Sequence, residues 1–274
     1  MSTKVSLRAA LVACVAIVTA ACADLAAIRQ FADISADSAQ YTKLAQDYAA
    51  GPVRQKRFQP ASEHPRLDAA AAARREQLAA ITARLSLIEE YMHALGALAS
   101  DKAPVFDTEI GALGAAVSKA GFAGDAETTA AVTLANLVLR AAADGWRQRQ
   151  LRELIGQGNA PLQTVIAGLR RIAAEAFLGD LANEQAAARA HYRTLLARSS
   201  DPAGKAALEE WIELRQGDMA SREAAIKAYD AILKNIAEGH QALYDGRDDI
   251  SRKALLDQLE MYAKLIQKAA KALT

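Results

Sequence analysis

Apolar residues recur in alternating steps of three and four over long stretches of this chain. Leu78, Ile81, Leu85, Ile88, Met92 and Leu95 form one such run, and Ile226, Tyr229, Leu233, Ile236, His240 and Leu243 form another. That spacing puts every one of these side chains on a single face of an α-helix, whereas a half-buried strand would need strict alternation. A seam near 3.5 residues per turn also predicts helices that cross at about 20° with a left-handed supercoil. The composition agrees, because hydrophobic residues make up 52% of the 274 residues but aromatics only 5%. An apolar complement carried by Ala and Leu favours helix over sheet.

The remaining segments extend the pattern. Phe31, Ile34, Ser38, Tyr41, Leu44 and Tyr48 predict a helix from Leu25 to Tyr48, ended by a loop at Gly51, Pro52, Pro60 and Pro65 that carries Arg54, Lys56 and Arg57. A long helix follows from Arg66 to Ala99. Residues 101–125 hold Pro104 and four glycines and read as a connection with one short helix near Glu109 to Lys119. Helical spacing resumes from Ala126 to Ile155 and is expected to stop at Gly156-Gln157-Gly158. Asn159 then reads as a cap and Pro161 as a first-turn proline of a helix from Ala160 to about Arg198, with Leu162, Val165, Ile166, Leu169, Ile172 and Ala176 on one face. Asp201-Pro202 repeats that start signal for a helix to about Tyr244. After a turn at Asp245 to Asp249, Ser251 is expected to cap a last helix that buries Leu259, Tyr262, Ile266, Ala269 and Leu273. The fold class expected is all-α: an elongated antiparallel bundle of about six long helices in one domain, residues 22–274.

The first 21 residues have another character. Lys4 and Arg8 precede an apolar run from Ala9 to Ala21 that is short for a membrane span, and small residues close it, as in a secretory signal peptide. Thr19-Ala20-Ala21-Cys22 resembles the lipobox of bacterial lipoproteins, with Thr19 where Leu is usual; plain cleavage near Ala21 is the alternative. The resemblance implies acylation of Cys22 by palmitate-like chains and a membrane lipid anchor. Ala23, where an inner-membrane lipoprotein would carry Asp, implies the outer membrane, and a periplasm-facing protein is expected, with exposure at the cell surface as the alternative. Removing Lys4 and Arg8 from the 33 basic residues leaves 31 against 32 acidic ones, which gives no electrostatic case for nucleic acid. Cys14 departs with the signal, so the mature chain would hold no internal disulfide or thiolate metal site.

Candidate sites are few. Glu90-Tyr91-Met92-His93 spells the Glu-x-x-His of di-iron bundles, but His64, His191 and His240 lack a Glu three residues earlier, so half that constellation is missing. His240 falls on a buried seam, where an imidazole must find hydrogen-bond partners and would fix helix register or act as a pH switch. Trp146, Arg147, Arg149 and Arg152 form an aromatic and cationic patch suited to anionic lipid or a protein partner, or to plain solvated helix. No Gly-x-Ser-x-Gly elbow, phosphate loop or His-Glu-x-x-His occurs. The expectation is therefore a non-enzymatic, membrane-tethered envelope scaffold that binds a protein partner and no cofactor. The alternatives are a ligand-binding or carrier bundle of the periplasm and, last, a metal-dependent enzyme at Glu90 and His93.

Overall fold

The computed structural model describes residues 25–100, 124–143 and 147–273, with 110, 112, 113 and 116 between them; the side chains of 142, 143, 147 and 148 stand outside that set. The protein is an all-α helical bundle, and no strand occurs among the described residues. Its helices are α1 (25–39), α2 (Lys43–Gln55), α3 (His64–Ala99), α4 (Asp125–Ala143), α5 (Arg147–Arg171), α6 (Leu178–Arg198), α7 (Pro202–Asp245) and α8 (Lys253–Ala270). A π-helical turn at Ile172–Phe177 joins α5 to α6, so residues 147 to 198 form one unbroken rod. Most of the segment expected to hold the short helix near Glu109 to Lys119 lies outside the described residues, as does Cys22.

Both seams are buried as their spacing predicts. From Ile81 to Leu95 and from Ile226 to Leu243 their members are 0–5% exposed. The C-terminal half of α3 goes further and also buries Leu87, Tyr91, Ala94 and Leu98, which places it at the centre with α2, α4 and α5 packed round it. One contiguous apolar cluster draws on every helix. The start of α7 follows its signal: Asp201 carboxylate oxygens accept from the Ala203 and Gly204 amides at 3.1 and 2.8 Å, and Pro202 stands in the first turn.

The helix expected from Ala126 to Ile155 is divided into α4, ending at Ala143, and α5, starting at Arg147, which pack against each other. Four further boundaries differ from expectation. The first helix is two, because α1 ends at Ala39, whose carbonyl accepts from the Tyr229 hydroxyl at 2.8 Å. The helix then continues through Gly51-Pro52 to Gln55 instead of stopping there. A proline at 52 denies the Tyr48 carbonyl its helical donor, and the Arg74 guanidinium supplies one from α3 at 3.1 Å. Arg54 consequently belongs to a helix and not to a basic loop. The third difference is at Gly156-Gln157-Gly158, where the chain was expected to stop and α5 runs on. The glycine there is a notch: a Cβ on Gly158 would stand 2.6 Å from the Tyr91 ring. Ser251 does not cap α8; its hydroxyl donates to Asp249 at 2.7 Å, and α8 begins after Arg252.

A second notch seats α1 on α7. A Cβ on Gly239 would overlap the edge of the Phe31 ring. Gly239→Ala is therefore expected to destabilise the protein by about 1–3 kcal/mol through overpacking, in spite of the ~1 kcal/mol that helix propensity alone would contribute the other way. Urea unfolding of the single variant and of Gly239→Ala with Phe31→Leu checks this, and the second change should recover most of the loss.

Candidate functional site

Three polar or open features interrupt the apolar packing. The first surrounds His240, which is fully buried. Its Nδ1 lies 2.9 Å from Asn159 Oδ1, and because Asn159 Nδ2 donates to Gln241 Oε1 at 2.7 Å, Nδ1 carries the proton. The opposite nitrogen, Nε2, is then bare and 2.7 Å from the Tyr91 hydroxyl, which also stands 3.0 Å from the Leu154 carbonyl. Gln163 continues the chain to the Ala237 carbonyl at 2.7 Å. Burial pulls the imidazole down to about 3 and pushes the Tyr91 phenol far above its usual range, so both are neutral near pH 7. The residue expected to be a helix cap, Asn159, is thus a core residue that ties α5 to α7 and through His240 to α3.

A second feature joins four helices by charge. Glu184 on α6, only 2% exposed, accepts from Arg54 of α2 at 3.2 Å and from Arg222 of α7 at 3.1 Å. Asp47 closes the ring, 3.0 Å from Arg54 and 2.8 Å from Arg222. One turn earlier Asp180, also buried, meets Arg74 of α3 at 2.6 Å and Gln55 at 3.1 Å. Burial alone would lower the Arg222 guanidinium, but Glu184 and Asp47 outweigh it and leave the cation favoured. Every charge here is answered, so the arrangement is a clamp with no free group for chemistry.

The third feature is an arm. Between Ala188 on α6 and Met219 on α7 no residue is fully buried; His191 and Tyr192 still pack on Phe58, with ring centroids 5.8 and 6.0 Å away, and beyond them residues 193–218 run on as a two-helix hairpin, roughly 20 Å long at 1.5 Å per residue. It carries large apolar side chains in the open: Trp211 is 57% exposed, Leu214 65% and Leu195 37%. At its root the helices part around a groove of about 470 Å³ floored by Ala188 and Met219.

The residues singled out in the sequence do not converge. Glu90 is buried, whereas the His93 side chain is 45% exposed and beside Glu89 at 3.9 Å. Among the described residues no three His, Cys, Asp or Glu side chains stand close enough to hold a metal ion. Trp146 and the Arg147 side chain lie outside the described residues, and Arg149 and Arg152 are exposed. Sequence reasoning missed the clamp and the arm. The arm had a usable signal, since Trp211 and Leu214 fall off the seam that Met219 and Ile226 continue. No protein-family model, curated protein or solved structure matches the chain.

Proposed function

We propose that this protein is a non-enzymatic scaffold of the bacterial envelope, tethered to the outer membrane through lipid on Cys22 and facing the periplasm, where it docks a protein partner. The observation that carries the reading is the exposed arm. A helical hairpin without buried residues gains little from its own packing, and isolated helices of this length are marginal in water. Trp211 is the residue type expected of an interface anchor, and with Leu214 one turn on it makes an exposed apolar patch. No helix among the described residues is long and apolar enough to cross a membrane, which is compatible with tethering through the lipobox-like segment.

Fractionation of cells carrying wild type and Cys22→Ser tests the tether: wild type is expected with membranes at an acylated mass, and the variant in the soluble fraction. Crosslinking from position 211 tests the docking. Trp211→Asp with Leu214→Asp should weaken partner capture by at least ~30-fold while leaving the far-ultraviolet circular dichroism unchanged, since loss of a Trp hot spot exceeds about 2 kcal/mol. A wild-type chain that captures nothing refutes the scaffold.

The groove at the root of the arm favours a second reading, a ligand-binding bundle, because its size is that of a small-molecule site, roughly 300–1,000 Å³. Native mass spectrometry of gently purified protein would show a retained molecule.

A further inference from the structure

We infer that the groove between α6 and α7 binds an anionic amphiphile, a molecule with one acidic head and a single alkyl chain. The inference rests on the ligand-binding reading and names its ligand class. One wall is α6 and the other α7, and the two present Ala188, Tyr192, Leu196, Ile212 and Met219 as an apolar lining. Ala188 and Met219 are 3% and 4% exposed, so the floor is the last layer of the bundle core, and the space above it is where that core would continue if the helices stayed in contact.

The charge of the lining is unbalanced. Arg189, Arg193 and Arg215 point to one sign, and Arg189 and Arg193 have no ion-pair or hydrogen-bond partner among the described residues. Arg215 has only a long contact to Asp218, at 3.4 Å on its own helix, and its Nε is buried with no acceptor. An unanswered buried N–H beside apolar surface is unfavourable, and an acceptor that arrives with its own hydrocarbon satisfies both needs. The one carboxylate in the lining, Glu223, is held by Lys227 one turn along and does not answer the guanidiniums. Carboxylate and phosphate are the partners a planar guanidinium takes bidentately. A free alkyl carboxylate and a single-chain phospholipid share this chemistry. At about 470 Å³ the groove has the size of a small-molecule site.

The test uses the full chain carrying Cys22→Ser, which dispenses with detergent, and isothermal titration below micelle concentrations. Four probes are compared: laurate, lysophosphatidylglycerol, dodecanol and inorganic phosphate. Saturable one-to-one binding of laurate or of lysophosphatidylglycerol is expected, and which of them is tighter identifies a free acid or a lipid as the source. Dodecanol and phosphate should each bind at least ~10-fold more weakly. Arg189→Gln, Arg193→Gln and Arg215→Gln together should weaken the tight probe at least ~10-fold with unchanged helicity, and Ala220→Trp, which fills the groove, should abolish binding. Dodecanol binding as tightly as laurate would overturn the acidic head yet keep the ligand site, and phosphate binding equally well would overturn the alkyl chain. Failure of all four probes, insensitivity to the three arginines, or preference for an acidic amphipathic peptide over both amphiphiles would overturn the proposal.

Discussion

Acidification from pH 7 to pH 4 is expected to remove about 3 kcal/mol of folding stability through His240 alone, roughly 1 kcal/mol or more per pH unit below its unfolded value. The unfolded chain takes up a proton on this imidazole near pH 6.5, while the folded protein resists until about pH 3. Between those values the unfolded state holds more protons, so stability is fully present above pH 6.5, falls as the pH drops, and loses no more below about pH 3. The cause is burial, not a missing partner. If protonated, Nε2–H would donate to the Tyr91 hydroxyl, which would donate on to Leu154 O, and Nδ1–H already meets Asn159. Hydrogen bonds are thus available to the cation, and what opposes it is its burial away from solvent, with no carboxylate bonded to the ring among the described residues. Urea midpoints of wild type and His240→Gln across this range check the argument. The variant should start less stable at pH 7 and approach or pass wild type by pH 4, and two parallel curves would sink it.

Glu184→Ala is expected to destabilise the protein by about 3 kcal/mol, at the low end of the range for breaking a buried ion pair because Arg54 and Arg222 keep some solvent. The loss comes mainly from the two guanidiniums, left with only Asp47 between them. In a double-mutant cycle, Arg222→Met combined with Glu184→Leu should cost less than the sum of the separate changes, since it removes Glu184 together with the Arg222 charge it answers and leaves Arg54 paired with Asp47. Thermal or urea unfolding at low and at 1 M salt measures this. A loss that disappears at high salt would mark the ring as a surface network instead of a clamp.

The parts of this fold legible in the sequence were those governed by a single helical period. The seams of α3 and α7 are repeats of one face against one core, and the Asp201-Pro202 start is local chemistry. The parts that were not legible depend on residues far apart in the chain. Pro52 does not break α2 because Arg74, on another helix, serves the carbonyl it strands. Gly158 and Asn159 read as a stop and a cap because nothing nearby in sequence announces Tyr91 and His240. Of the candidate site residues only His240 carried a signal strong enough to be placed in its true setting, since an imidazole on an otherwise apolar seam must be buried and bonded. The clamp could not be found this way, because its members look like ordinary surface charges until α2, α6 and α7 come together.

The π-helical turn leaves a phase error in the periodic signal of its rod. Up to Ile172 the buried positions keep the expected seven-residue beat through Leu162, Val165, Ile166 and Leu169; beyond it Phe177, Leu181, Glu184 and Ala188 fall one place later than that beat predicts, with Asp180 buried beside Leu181. One extra residue has been taken up in a wide turn, which rotates everything downstream by roughly 100°. The rod therefore behaves like a gear with one tooth inserted. Loss of a single codon between 172 and 177 would return the helix to strict time and swing Glu184 away from Arg54 and Arg222, whereas gain or loss at the exposed arm tip would leave that meshing untouched.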